Sequence, residues 1–258
     1  MYEISSTEAA AIGQLMPNIN AANGRGSEPN LLADLQKRGW CRDVSIDLDA
    51  LVSQAVEVFA AIQNPRELRE FFTLIQGPRP DVVVEIGTAR GGVLYGLSQL
   101  ASAEALLVSI DLPGGRNCGG QTETERQLFA SFGPRTQEFH FIPGNSMALT
   151  TKRTLQELLG RRKVDVLFID GDHSYGAVRS DFEMYREFVS GRGIIALHDI
   201  CMVPEEWGPS GEVGVFWREL AKKYQSREII DPNGVCRRKR PSGIEWSWGI
   251  GVVEKPDD

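Results

Sequence analysis

This chain contains few of the residues that build zinc, redox or disulfide sites. Its 258 residues include only four cysteines, Cys41, Cys118, Cys201 and Cys236, and no two of them have the spacing C-x-x-C. Neither a zinc knuckle nor a redox-active pair is therefore expected. Scattered thiols of this kind are typical of a reducing compartment, so we expect a cytoplasmic protein.

Long apolar runs and an excess of positive charge are also missing. No stretch approaches the ~20 apolar residues that a membrane-spanning helix requires, and the N-terminal residues MYEISSTEAAAIG carry an acid where a signal peptide has its basic region. The formal net charge of -7 argues against a general nucleic-acid binder. The basic run from Arg237 to Arg240 has Pro and Gly beside it and is typical of a loop. We expect neither a membrane nor a nucleic acid as partner.

The chain is long enough for one large α/β domain with its own core, preceded by a small helical extension. We assign residues 1–78 to that extension. Residues 16–30, MPNINAANGRGSEPN, lack periodicity and are rich in Asn, Gly and Pro, which predicts a loop or a mobile arm. Two amphipathic helices follow, from Asp49 to Gln63 and from Pro65 to about Gln76. We expect these helices to cap the sheet edge or cover the active site. A homo-oligomer is an open alternative, in which the N-terminal arm crosses to a neighbouring copy.

Strand and helix patterns alternate from Asp81 onward, which predicts a doubly wound α/β sheet over residues 79–258. The last two strands have no helix between them and suit an antiparallel hairpin. That hairpin predicts a seven-stranded sheet and not an ordinary dinucleotide-binding domain. The predicted strands are 82–86, 106–111, 138–142, 164–169, 193–198, 227–230 and one within 247–255, and the predicted helices are near 92–101, 122–132, 152–160, 175–190 and 212–224.

The segment VVVEIGTARGG, Val82 to Gly92, predicts a ligand site. An apolar β-branched run meets Glu85 and a glycine and then opens into a helical sequence. A buried strand that ends in a tight turn at a helix N-terminus is where α/β proteins hold nucleotide-like ligands, because glycine lets the backbone approach closely. The dinucleotide fingerprint requires a second glycine where this chain has Ala89. A turn whose glycines serve packing only is the alternative.

The next predicted strand ends in a second candidate ligand, Asp111. It lies roughly 20 residues beyond the glycine turn, where an acid can accept hydrogen bonds from both ribose hydroxyls. Nicotinamide-dependent dehydrogenases have an acid at the same point, so Asp111 indicates a nucleoside cofactor without choosing which one. A helix cap or a turn aspartate is the alternative.

Predicted strands four and five both end in polar residues. VDVLFIDGDHSY brings Asp170, Asp172 and His173, and GIIALHDI brings His198 and Asp199, to the same carboxyl edge of the sheet. A divalent cation held by carboxylates can lower the pKa of an acceptor hydroxyl while an imidazole or carboxylate takes its proton. The set therefore indicates metal-assisted chemistry. Local turns, a helix cap and a core histidine are the alternative, although burying so many polar groups costs several kcal/mol.

Two motifs resemble those of class I S-adenosylmethionine-dependent methyltransferases. The pattern E-x-G-x-(A/G)-x-G, with Glu85, Gly87 and Gly91, is similar to the cofactor-binding motif I of that class. The sequence IDGDHSY, followed by a helix and GIIALHD, is similar to a bacterial family often labelled cephalosporin hydroxylase-like, which is related to macrolide-sugar and catechol O-methyltransferases. The resemblance covers roughly Leu68 to Val253, including the ending GIGVV.

The resemblance implies S-adenosylmethionine as cofactor, a small-molecule hydroxyl as methyl acceptor, and a role in natural product biosynthesis. It implies a divalent cation, with Mg²⁺ favoured by hard oxygen ligands, held by Asp170 and Asp199. His198 stands where relatives carry Glu or Asp, so it is a third ligand or a base, or the metal is absent. His173 or Asp172 is the implied catalytic base. The implied cofactor contacts are Glu85, Gly87, Thr88, Ala89, Gly91, Asp111, Leu112, Asn145, Ser146 and Asp170.

Two other functions stay open. An NAD(P)-dependent oxidoreductase shares the glycine turn and Asp111, although this sequence lacks a Tyr-x-x-x-Lys hydride-transfer set. A non-catalytic binding protein of the same fold predicts that Asp170→Ala and Asp199→Ala leave function intact. The loop CMVPEEWGPSGE, which contains Trp207, is expected to wall the acceptor site. The sequence does not identify the methyl acceptor.

Overall fold

A computed structural model describes residues 46–114, 121–239 and 241–255. The predicted N-terminal arm, Cys41 and Cys118 lie outside these residues. The division of the chain at residues 78 and 79 stays a prediction. The strands are β1 (Val82–Ile86), β2 (Leu106–Asp111), β3 (Glu138–Pro143), β4 (Val164–Ile169), β5 (Val189–His198), β6 (Ser226–Ile229) and β7 (Ile250–Glu254).

These strands form one sheet in the order β3-β2-β1-β4-β5-β7-β6. The neighbours from β3 to β5 pair in parallel, whereas β7 is antiparallel to both β5 and β6. The predicted seven-stranded, doubly wound sheet with a C-terminal antiparallel hairpin is confirmed. The strand order reverses between β1 and β4, so ligands are expected outside the carboxyl ends of these two strands.

Helices cover both faces of the sheet. The bounds are α1 (Leu48–Ser53), α2 (Pro65–Gln76), α3 (Gly92–Leu100), α4 (Glu123–Phe129), α5 (Leu149–Leu159), α6 (Tyr175–Tyr185), α7 (Pro204–Trp207) and α8 (Val213–Leu220). Alternate strand residues enter two cores: Val83 belongs to the same core as Phe72 of α2, and Val84 to the same core as Phe182 of α6. Burial on both faces explains why the parallel strands are almost entirely apolar. No helix in the described part of the chain is long and apolar enough to cross a membrane.

The predicted helix from Asp49 to Gln63 is wrong in its second half. The α-helix ends at Ser53, a π-helical turn covers Gln54–Val58, and residues 59–64 form a connector to α2. Within it Ala60 has a φ of 54°, which a helix does not allow. Pro65 disfavours a helical conformation at Asn64 before it. The Asn64 side chain caps α2 by accepting hydrogen bonds from the amides of Arg66 and Glu67.

Helix α6 is also shorter than predicted. It ends at Tyr185, a single 3-10 turn covers Arg186–Phe188, and β5 begins at Val189, four residues before the predicted start at Gly193. Only the second half of β5 continues the regular pairing with β4, because the register shifts between Val164 and Val166.

The extension is joined to the C-terminal hairpin by one buried carboxylate. Glu67 of α2 accepts hydrogen bonds from the amides of Asp231, Trp248 and Gly249 and from the Ser247 hydroxyl. A buried carboxylate with this many donors is satisfied and strongly oriented. Helix α2 therefore packs against the sheet face, in contact with α3, β6 and β7.

Candidate active site

The turn between β1 and α3 requires glycine at two positions. Gly87 has a φ of 87°, and a Cβ there would lie 2.0 Å from the carbonyl oxygen of Asp170. Gly91 has a φ of 82°, and a Cβ there would lie 2.7 Å from the ring of Phe129. Both positions combine a left-handed backbone with close packing, so neither position has room for a side chain. The same geometry brings the end of β1 directly against the end of β4.

Asp111 is fixed against this turn. One carboxylate oxygen accepts hydrogen bonds from the Ala89 amide at 2.8 Å and from the Gln121 side chain at 2.9 Å. The other accepts from the Leu112 amide at 2.8 Å. Ala89 has a φ of 46°, which is uncommon outside glycine, and the bond to Asp111 holds it there. The Thr88 hydroxyl accepts from Ser109 of β2 at 2.7 Å, so the turn and the end of β2 form one rigid unit.

Glu85 lies buried behind the turn. Burial raises its pKa to about 8, a shift that the Thr88 hydroxyl reduces and the charges of Asp170 and Asp111 increase. The carboxyl group is therefore mainly protonated at neutral pH. One of its oxygens has no hydrogen-bond partner in the part of the chain that the structure describes.

Four side chains from the ends of β4 and β5 meet at one point. His173 lies between two carboxylates, with Nδ1 at 3.1 Å from Asp199 and Nε2 at 3.3 Å from Asp170. His198 Nδ1 lies 3.3 Å from a carboxylate oxygen of each of the same two aspartates. Asp199 has a φ of 66°, a strained conformation for a residue with a side chain and one that is common at functional sites.

The two imidazoles and the two carboxylates of this group stabilise one another's charged forms. Burial by itself lowers the pKa of His173, but Asp199 and Asp170 outweigh it and raise the value to about 9. The same two carboxylates raise the pKa of the fully buried His198 well above its ordinary value, although burial opposes them. Burial alone raises the pKa of Asp170, whereas the two imidazoles lower it below its usual range.

The donor set fits a divalent cation. Ligand atoms of Asp170, His173 and Asp199 all lie within 4.8 Å of one another. An octahedral ion with bonds of about 2.0 to 2.1 Å places neighbouring ligand atoms about 3 Å apart, and the contacts of 3.1 to 3.3 Å in this group are close to that spacing. Carboxylate oxygens suit Mg²⁺, whereas an imidazole in the ligand set favours Mn²⁺ or Fe²⁺. The geometry also brings His173 within reach of such an ion.

The comparison with known families agrees with this geometry. Residues 84–200 match the family model described as "Methyltransferase domain". The resemblance that the motifs indicate is thereby confirmed. A search of curated proteins gives no match.

Solved structures share the fold of this chain. The O-methyltransferase TomG from Streptomyces achromogenes, bound to SAM, is 17% identical with a TM-score of 0.54, over 83% of this chain and 92% of that one. An O-methyltransferase from Bacillus cereus in complex with SAH is 15% identical with a TM-score of 0.51, over 97% and 92%. MycE from the mycinamycin pathway, in complex with Mg and SAH, is 16% identical with a TM-score of 0.50, over 83% and 54%. Similarity at this identity shows the class I methyltransferase fold.

Three sequence candidates in the methyltransferase domain lie in turns. Asp172 is exposed, and its carboxylate accepts a hydrogen bond from the Ser174 amide at 2.8 Å, just before α6. The Asn145 side chain accepts from the Met147 amide at 2.9 Å. The Ser146 carbonyl accepts from the Tyr185 hydroxyl at 2.7 Å. The hydrogen bond found for Asp172 in the described residues leads to Ser174, and its link to the four-residue group is only the charge of His173, so His173 is the better placed candidate base.

Two buried residues near the site carried no signal in the sequence. Gln63, in the connector before α2, donates a hydrogen bond to Asp170 at 2.8 Å. Asp181 on α6 lies beneath Gly171, where a Cβ would come 3.4 Å from its carboxylate. Burial raises the pKa of Asp181 to about 6, an effect that the Ser146 side chain reduces. A pattern of strand ends and glycine turns does not find either residue, because Gln63 reaches the site from a connector and Asp181 from a helix.

Tryptophans lie close to the end of β5. The Cys201 amide donates to the Trp248 carbonyl at 2.9 Å, two residues after Asp199. The ring of Trp248 packs at 5.3 Å from both Trp207 and Trp246. The loop that contains Trp207 thus lies near the end of β5, and its tryptophan packs against another aromatic ring. That this loop walls an acceptor stays a prediction.

Proposed function

We propose that the protein transfers the methyl group of S-adenosylmethionine to an oxygen of a small molecule, with a divalent cation at the site. The observation that carries the proposal is the double role of Asp170. Its backbone carbonyl packs against Gly87 of the cofactor turn, while its side chain contacts His173 and His198. A ligand at the turn and an acceptor at the imidazole–carboxylate group are therefore neighbours.

The cofactor contacts follow the strand order of the sheet. Asp111, held at the end of β2, accepts hydrogen bonds from the ribose hydroxyls. The turn at Asn145 and Ser146, which follows β3, lies against the adenine ring. The methionyl end lies beside the glycine turn at the end of β1, whose tight backbone requires Gly87 and Gly91. We include Glu85, Thr88, Ala89 and Leu112 in this site as the residues that shape the turn.

The reaction is a displacement at the methyl carbon. The acceptor oxygen forms a bond to that carbon, the carbon–sulfur bond breaks, and its electron pair stays on sulfur as a neutral thioether. A divalent cation, which Asp170, Asp199 and the imidazole of His198 would hold, would supply positive charge that lowers the pKa of the acceptor hydroxyl. With a cation held by Asp170, Asp199 and His198, the positive charge would lower the pKa of His173, and its neutral Nε2 would then accept the hydroxyl proton while Asp199 stabilises the imidazolium through Nδ1.

The acceptor lies beside the tryptophans that follow β5. Trp207, Trp246 and Trp248 offer aromatic surface, and Arg238 lies 6.0 Å from the ring of Trp207. Aromatic rings of this kind bind planar or sugar-like groups by stacking. The cytoplasmic location, the role in natural product biosynthesis and the homo-oligomer stay predictions of the sequence.

Calorimetric titration with S-adenosylhomocysteine, in Mg²⁺ and in EDTA, tests the cofactor. We expect saturable binding of S-adenosylhomocysteine in both buffers. In a separate assay with labelled S-adenosylmethionine, we expect methyl transfer to hydroxyl acceptors only where the cation is present. Titration with NADPH is the matched control, and we expect no fluorescence change. Binding of NADPH without binding of S-adenosylhomocysteine would replace the proposal with the oxidoreductase, and binding without any cation dependence of turnover would remove the metal.

A further inference from the structure

The nitrogen and the oxygen of the Gln63 side-chain amide lie in different environments. The side chain is 7% exposed, and its Nε2 donates to a carboxylate oxygen of Asp170 at 2.8 Å. Its Oε1 is buried and has no hydrogen-bond partner among the residues that the structure describes. A buried polar oxygen without a donor costs free energy. The arrangement therefore indicates a donor that comes from a bound molecule.

The orientation of this amide is fixed by its contact with Asp170. Its Nε2 lies 2.8 Å from a carboxylate oxygen of Asp170, and such an oxygen accepts hydrogen bonds. A flipped amide would bring two oxygens together. The Oε1 atom of Gln63 is therefore a pure acceptor, and a cationic donor forms the stronger hydrogen bond with it.

The connector that carries Gln63 lies across the glycine turn. A Cβ on Gly92 would come 2.4 Å from the Ala61 nitrogen, and Gly87 packs against the carbonyl of Asp170. Ala61 and Gln63 thus reach opposite ends of the turn, one at the start of α3 and the other at the end of β4. A ligand held by the turn lies next to this connector.

The connector is held in place from its other side. The Asn64 side chain donates to the Trp246 carbonyl at 2.7 Å and to Asp231 at 3.2 Å, while its oxygen caps α2. Gln63 is therefore presented by a rigid segment, and little conformational entropy is lost when its oxygen meets a ligand.

The sheet order identifies the part of the ligand at this point. On the proposed function, the base lies after β3 and the ribose at Asp111 after β2, so the methionyl end reaches β1 and β4, where Gln63 contacts Asp170. We propose that Gln63 is a cofactor-binding residue whose Oε1 accepts a hydrogen bond from the α-ammonium group of S-adenosylmethionine. Its Nε2 meanwhile keeps Asp170 oriented. This inference rests on the proposed function.

The test compares two ligands that differ only in the ammonium group. Calorimetry in EDTA measures the binding of S-adenosylhomocysteine and of its analogue without the α-amino group to the wild-type protein and to Gln63→Leu. We expect Gln63→Leu to bind S-adenosylhomocysteine about tenfold or more weakly, since a hydrogen bond to a charged group is lost. Affinity for the analogue is expected to stay within about twofold of wild type.

Gln76→Leu is the matched control, because Gln76 lies on the same extension and donates to the Ile46 carbonyl at 3.3 Å. It should leave both affinities unchanged. Gln63→Met keeps an unbranched side chain and replaces Gln63→Leu if thermal denaturation shows that the leucine variant is unfolded. Equal losses for both ligands, or no loss for either, would overturn the role of Gln63. A wild-type protein that binds neither ligand would overturn the proposed function itself.

Discussion

The Nδ1 atom of His173 lies 3.1 Å from a carboxylate oxygen of Asp199. His173 follows β4 and Asp199 follows β5, and these strands are parallel neighbours with Leu167 opposite Ile195. Both strands therefore end at the same level of the sheet, and the two residues after them meet. This contact joins the proton acceptor of the proposed reaction to the residue that orients it.

Asp199→Ala should abolish most turnover while cofactor affinity is kept. The substitution removes a metal ligand and the partner of His173, and loss of general-base catalysis typically costs about 100-fold or more. Rates of methyl transfer and calorimetry with S-adenosylhomocysteine measure the two effects separately. Asp49→Ala, at an exposed aspartate paired with Arg69, is the control and should change neither. Equal losses of binding and turnover would contradict the role given to Asp199.

Asp111→Ala should weaken binding of S-adenosylhomocysteine by about tenfold or more, because it removes charge-assisted hydrogen bonds to the ribose. It also releases the amide of Ala89, which the carboxylate holds at 2.8 Å. Turnover at saturating cofactor should fall much less than affinity does. Unchanged affinity in calorimetry would show that Asp111 serves only the turn.

Gly87→Ala should destabilise the domain and prevent cofactor binding. A Cβ there meets the Asp170 carbonyl at 2.0 Å in addition to the left-handed backbone. Gly160→Ala separates the two effects, since Gly160 has a φ of 58° and no atom within 4 Å of the added Cβ. Urea unfolding should show a loss for Gly160→Ala from its backbone conformation alone and a larger loss for Gly87→Ala. Equal losses would mean that the close approach to Asp170 does not matter.

Asp181→Asn should make the protein less sensitive to pH. Burial raises the folded-state pKa of Asp181 to about 6, above the ordinary value of about 3.9. Its contribution to the free energy of unfolding is therefore fully present below about pH 4, falls as the pH rises to about 6, and is lost above that, by about 3 kcal/mol in total.

Urea unfolding of wild type and Asp181→Asn at pH 4 and at pH 7.5 checks this sign. The variant should gain stability relative to wild type at the higher pH, because asparagine has no charge to bury. Asp49→Asn, at an exposed position, should show the same small difference at both pH values. A constant difference for Asp181→Asn would contradict the raised pKa.

The sequence predicted the convergence of Asp170, His173, His198 and Asp199 because parallel neighbouring strands end at one edge, whatever their loops do. It did not separate Asp172 from that group. Asp172 lies two residues from Asp170, and only the local turn to Ser174 directs its carboxylate away from the site. Gln63 was placed at the end of a predicted helix, and its contact with Asp170 depends on the break in that helix after Val58.

Hydrophobic periodicity and glycine positions alone determined the succession of strands and helices along the chain, the glycine turn and the residues at the strand ends. These features follow from local conformation and burial. Tertiary structure alone decided where the connector of residues 59–64 lies, which nitrogen of His173 faces which carboxylate, and which buried groups lack partners. The physical reason is that those features depend on atoms far apart in the chain coming within hydrogen-bond distance, and no local pattern in the sequence encodes that distance.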